Sequence, residues 1–150
     1  MSLSSTLGAV ALVTVAVLAL MPIAARAADP ITDPRAYCDH AAELVADGKI
    51  DELTSDLLAH THGRILEAEF KAALAGFTTL SVKAGPLRSS EHISEWRAGD
   101  AFVRHYYILV YQYGVFFLKC SMYRPEKHWL LYDFAGNTDP DNVGIKQDRP

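Results

Sequence analysis

At 150 residues, with 50% hydrophobic and 21% charged side chains, the chain is long enough to bury one real core and too short for two ordinary domains. Its 14 basic residues against 18 acidic ones give a net charge of −4 and form no basic run, which argues against a nucleic-acid footprint, because that needs a cationic stripe to displace counterions. No G-x-S-x-G, H-E-x-x-H, phosphate-binding glycine loop or C-x-x-C occurs, so no motif announces nucleophilic, metal or nucleotide chemistry.

The first element is an uncharged apolar run from Leu7 to Ile23, followed by small residues and Ala25-Arg26-Ala27. This is the pattern of a secretory signal peptide cut after Ala27, and it predicts a periplasmic or secreted protein. No Lys or Arg precedes Leu7, and a run of about 17 residues is near the lower limit for a bilayer span, so an uncleaved anchor is the alternative. No Cys follows the run where a lipid anchor needs one. Cleavage removes Arg26, taking 14 basic residues to 13 and the charge to −5. The predicted organisation is a signal peptide over 1–27, one domain over 28–140 and a polar tail over 141–150.

Asp33-Pro34 reads as an N-cap with proline at the first helical position, and predicts a helix to about Asp47, ended by Gly48. Its apolar stripe is Tyr37, Ala41, Leu44 and Val45. Further helices are predicted over Asp51–Leu58 and over Arg64–Ala75, the latter punctuated by Gly63 and Gly76. From Thr78 the chain becomes β-branched and aromatic, with turn residues at Gly85-Pro86, Gly99-Asp100, Tyr113-Gly114 and Pro125-Glu126-Lys127. Strands are predicted near 78–84, 90–98, 101–112, 115–124 and 128–135, followed by a loose polar tail from Asn137. Helices first and then a meander means α+β.

Turn lengths then fix register, and register sorts side chains onto two faces. With two-residue turns at Gly99-Asp100 and Tyr113-Gly114 and a three-residue turn at Pro125–Lys127, one face carries Val103, His105, Tyr107, Leu109, Tyr111, Phe116, Leu118, Cys120, Met122, Leu130, Tyr132 and Phe134. That face should lie under the helices. The same registers set Glu95 opposite Arg104 and Lys119 opposite Asp133. Cys38 and Cys120 are the two cysteines, and Cys120 faces the helix layer; an even count in an exported chain predicts one bridge, with two buried free thiols as the alternative. Closing a loop of about 83 residues stabilises by up to ~4.5 kcal/mol in the chain-entropy model.

Three helical segments followed by a long antiparallel sheet resemble the NTF2-like, or cystatin-like, α+β cone. The run Trp129-Leu130-Leu131-Tyr132-Asp133-Phe134-Ala135-Gly136-Asn137-Thr138-Asp139-Pro140 is similar to the final strand of small exported NTF2-like domains of bacterial type. The resemblance covers about residues 34–140. It implies N-terminal helices packed on a strongly curved antiparallel sheet, a cone mouth able to hold a small apolar ligand, and frequent dimerisation through the outer sheet face. The carboxylate base and tyrosine donor of the ketosteroid-isomerase type find no residue-by-residue match here.

The registers gather His92, Ser94, Trp96, His105 and Tyr107 on the inward face, with His92 opposite Tyr107 and Ser94 opposite His105. Polar groups on a buried face must be hydrogen-bonded or line a wet cavity. A ligand-binding cluster is one reading and a satisfied polar rim the other. The outer face carries Tyr106, Ile108, Val110, Phe117, Tyr123, Trp129 and Leu131, an apolar patch large enough to predict an interface, with coverage by the tail as the alternative. His60-x-His62 lacks further ligands at zinc spacing, so no metal is expected, nor any cofactor. His40 and His128 read as surface residues. The sequence thus predicts an exported, non-catalytic binding or interaction module and a homodimer through the sheet. The alternatives are a small lyase, isomerase or hydrolase using His105 and Tyr107, and a structural subunit of an envelope assembly.

Overall fold

The computed structural model describes residues 29–61 and 67–145, so the predicted signal segment lies outside the described residues. Three helices, α1 (Pro34–Ala46), α2 (Ile50–His60) and α3 (Glu67–Ala84), precede four strands, β1 (Leu87–Ala98), β2 (Phe102–Tyr111), β3 (Gly114–Tyr123) and β4 (Leu130–Asn137). The strands form one antiparallel sheet in the order β1-β2-β3-β4. This is an α+β fold with the helices packed on a sheet that is not strongly curled.

Local chemistry explains the helix ends. The Asp33 carboxylate accepts from the Arg35 and Ala36 amides at 2.9 and 3.2 Å, capping α1. At its other end Gly48, at φ 71°, donates to the Val45 carbonyl at 3.1 Å, and Lys49 donates to the Leu44 carbonyl at 2.9 Å. These paired bonds satisfy the last carbonyls, and the left-handed position selects glycine.

The first correction concerns residues 78–84, expected as a strand and found as the last two turns of α3. Thr78, Thr79 and Val82 are β-branched, but the two threonine hydroxyls donate back to the Leu74 and Ala75 carbonyls at 3.2 and 3.1 Å, which accommodates them in a helix. The helix stops where Gly85 takes φ 78° and the Tyr113 amide donates to the Ala84 carbonyl at 2.9 Å.

The registers were expected to follow from turn lengths, and all three turns differ; between β3 and β4 the loop runs over residues 124–129, with Tyr123 facing Leu130, in place of a three-residue turn at Pro125–Lys127. The β1–β2 loop has three residues, Gly99 to Ala101, so Ala98 faces Phe102 and Glu95 faces His105 rather than Arg104. A bulge between His92 and Ser94 then restores the expected pairing of His92 with Tyr107. The β2–β3 loop is Gln112-Tyr113, with Tyr111 facing Gly114, a slip of two residues that leaves every side chain on its predicted face.

In β4 a bulge at Ser121/Met122 leaves Tyr132 as the extra residue, which turns Leu131 inward against Met122. Leu131 is 0% exposed, while Tyr132 faces out against Phe102 and Tyr123. Both are opposite to expectation. Lys119 pairs with Ala135 in the ladder, yet its ammonium reaches the Asp133 carboxylate at 2.7 Å across the diagonal.

The core lies between the helices and the inner face, with Cys38, Leu44, Leu53 and Leu57 meeting Val103, Leu109, Leu118 and Met122. Cys38 and Cys120 are disulfide-bonded with Cα atoms 5.8 Å apart, joining α1 to β3. The chain beyond Asn137, expected to be loose, folds back as a short 3-10 turn (Pro140–Val143) against β3 and β4, and buries Val143.

Candidate functional site

Three of the five predicted site residues come together. His92, His105 and Tyr107 share the inner face at the β1–β2 end of the sheet: the rings of His92 and Tyr107 are 5.1 Å apart, and His105 Nδ1 lies 3.4 Å from His92 Nε2. Ser94 and Trp96 do not join them. The His92/Ser94 bulge pairs Ser94 with Tyr106, and Trp96 faces Arg104, so both point to the outer face.

Asp39 and Arg35, which the sequence did not single out, and Glu95, expected opposite Arg104, complete the cluster. The Tyr107 hydroxyl donates to Asp39 Oδ1 at 2.7 Å, and Arg35 Nε donates to both Asp39 oxygens at 2.7 and 2.9 Å. Glu95 Oε2 lies 3.6 Å from His105 Nδ1, while the other Glu95 oxygen accepts from Arg97 Nε. Asp39 follows Cys38 on α1, and Cys120 pairs with His105, so the bridge itself brings α1 over Tyr107.

The electrostatics leave few protons free to move. Burial pushes the Tyr107 hydroxyl well up, and its bond to Asp39 pushes it further. Burial alone raises the Asp39 carboxyl, but the Tyr107 hydroxyl and the Arg35 guanidinium outweigh it and hold the group below the usual carboxylate range. The Arg97 hydrogen bond holds Glu95 low. Burial lowers His92, and Arg35 adds to the effect. His105 is 0% exposed, and burial takes it from 6.5 to about 4 against the pull of Glu95.

His105 is therefore neutral at pH 7, and its tautomer follows from its neighbours. A proton on Nδ1 faces the Glu95 carboxylate and the His92 Nε2 lone pair; a proton on Nε2 is a buried donor with no partner among the described residues. The Nδ1–H form wins. The arrangement clamps α1 to the β1–β2 hairpin, with the Tyr107 proton held by Asp39 and the His105 proton directed at Glu95.

Two apolar cavities lie elsewhere on the inner face. A cavity of about 200 Å³ lies among Phe77, Ala84, Tyr111 and Phe116. A second of about 210 Å³ lies among Val45, Leu74, Phe77, Phe116, Leu118 and Phe134. Phe77, Phe116 and Thr138 line both. Phe77 and Phe116 meet with ring centroids 4.5 Å apart and planes inclined at 60°. Gly136 makes room for this, since a Cβ there would stand 2.3 Å from the Phe116 ring.

Of the predicted interface residues, Tyr106, Trp129 and Leu131 are buried, whereas Ile108, Val110, Phe117 and Tyr123 are half-buried on the outer face. Trp129 pairs with Ile31, and Tyr106 lies under the turn at Gly144. The two ring nitrogens of His60 face the Asp56 and Asp29 carbonyls at 2.8 and 3.2 Å; His62 lies outside the described residues. Among the described residues no three His, Cys, Asp or Glu side chains gather as a metal site, and no helix is long and apolar enough to cross a membrane. Compared with known proteins, the chain matches no family model, no curated protein and no solved structure.

Proposed function

We propose that the chain is an exported binding module that takes a small apolar ligand between α3 and the sheet, without catalysing a reaction on it. The adjoining apolar cavities on either side of Phe77 and Phe116 carry this reading. The absence of catalysis is the reading that suits the His92, His105 and Tyr107 cluster, whose hydroxyl and carboxylates are already engaged with one another. Export is favoured by the signal pattern over 1–27 and by a buried disulfide, which persists in an oxidising compartment.

An NTF2-like ancestry is supported by the order of helices and strands and by the Trp129–Pro140 run; the long α3 and the open sheet depart from it. A homodimer through the outer face is a second reading, favoured by the row Ile108, Val110, Phe117 and Tyr123. Sedimentation as a monomer at micromolar concentration removes it.

The ligand reading is tested by titrating the purified mature protein with 1-N-phenylnaphthylamine, a neutral apolar fluorophore. Saturable one-to-one binding is expected, and Thr138→Phe should abolish it, because Thr138 is exposed and lines both cavities, so its replacement fills the crevice without entering the core. Binding that is absent in the natural protein, or unchanged in Thr138→Phe, overturns the proposal.

A further inference from the structure

On the outer face, Arg104 loses the acidic partner that the sequence offered it. The three-residue β1–β2 loop turns Glu95 to the inner face and sets Trp96 opposite Arg104. The guanidinium carbon sits 5.1 Å from the Trp96 ring centre and 5.1 Å from that of Phe102. Two aromatic contacts hold the group in place and leave its edge, with its in-plane N–H fork, for an acceptor. No hydrogen bond or ion pair meets Arg104 among the described residues, and its Nε is buried without a partner.

The strand neighbour repeats the pattern. Ser121 faces Arg104 across the β2–β3 ladder, and its hydroxyl is buried and also lacks a partner. Beside Arg104 is a cavity of about 440 Å³, walled by Ser94, Trp96, Arg104 and Tyr106 and roofed by Gly144 and Ile145. Buried donors without acceptors cost free energy that a bound acceptor returns.

We infer that this cradle is a binding site for a carboxylate. Of the two charged residues that line the cavity, Glu95 turns its side chain to the inner face, so Arg104 stands there as a single cation, which suits a singly charged group over a dianionic phosphate. A carboxylate matches the planar fork edge-on, and Tyr106, which also lines the cavity, offers a hydroxyl to the second oxygen. The indole of Trp96, 49% exposed, offers an apolar wall to whatever the carboxylate is attached to. Two sources share this chemistry: a free small carboxylic acid and the C-terminus of a peptide. The site lies on the opposite face of the sheet from the apolar crevice and does not depend on it.

The test follows the Trp96 indole N–H in proton–nitrogen spectra of the mature protein during titration with benzoate, with acetyl-Ala-Ala-Phe, with the same peptide as its C-terminal amide, and with inorganic phosphate. Saturable shifts are expected with at least one free carboxylate and not with the amide. Affinity should fall about tenfold or more in Arg104→Gln and less in Tyr106→Phe. Stronger binding of the peptide names a peptide C-terminus as the source, and stronger binding of benzoate a small acid. If Arg104→Gln does not fold, Tyr106→Phe and the amide control carry the test. No saturable shift with either carboxylate, equal binding of phosphate or of the amide, or unchanged affinity in a folded Arg104→Gln overturns the inference.

Discussion

Under α1 the inner face of the sheet is closed by a disulfide and by charge-assisted hydrogen bonds, whereas under α3 it meets Leu74 and Phe77 and is left hollow on either side of them. Cys38 and Asp39 are consecutive residues that reach β3 and β2, so one turn of α1 is fixed to the sheet twice. At the C-terminal end of α3, Val82 is 78% exposed and the helix is held through its capping bonds to the β2–β3 turn. The contrast teaches that titratable residues in a cluster need not mark the place where a ligand goes. Here they fasten one helix, and the apolar cavities of the inner face lie beneath the other.

Removing the fastening should have the largest effect. A Cys38→Ala, Cys120→Ala variant frees α1 and should lose about 2–5 kcal/mol in denaturant unfolding, with the m-value checked for a change in the unfolded state. A loss below half a kcal/mol would place the stability of the domain elsewhere. Tyr107→Phe comes next: it removes the hydroxyl from Asp39 but leaves Arg35, and should cost about 1.5 kcal/mol, the low end for a hydrogen bond to a charged acceptor that stays half in solvent.

The pH dependence sharpens the same contrast. His105 titrates near 6.5 when unfolded and at about 4 when folded, so between those values the unfolded state binds the extra proton. Its contribution is complete above 6.5 and is lost as pH falls through about 4, with a slope of up to ~1.4 kcal/mol per pH unit. Stability curves of the natural protein and of His105→Leu should therefore converge or cross as pH falls through this window. Parallel curves show that His105 is accessible and ordinary. The smallest effect belongs to the outer face, where Lys119→Met breaks the Asp133 pair and should change stability by no more than about 1 kcal/mol, less in high salt.

How much the sequence disclosed depended on which physical rule governed each segment. The capped α1 was legible to within a residue, because Asp33, Pro34 and Gly48 each have a specific backbone role. The β2 and β3 faces were legible because a two-residue slip preserves alternation. The faces of β1 and β4 were not, since bulges at His92/Ser94 and Ser121/Met122 each insert a residue that no turn signal marks. The end of α3 was misread because β-branched residues are a statistical cue, and back-bonding by Thr78 and Thr79 overrides it. In the polar cluster, His92, His105 and Tyr107 were found by alternation, whereas Asp39 and Arg35 needed contact between distant elements. Glu95 needed the length of one loop.

The most direct test of the account is a titration of the isotope-labelled mature protein with 1-N-phenylnaphthylamine, followed residue by residue in amide and side-chain spectra. Perturbations that saturate around Leu74, Phe77, Phe116, Gly136 and Thr138, with His92, His105 and Tyr107 unmoved, are the predicted result. Perturbations centred on His92, His105 and Tyr107 would contradict it, and would make the polar cluster the ligand site.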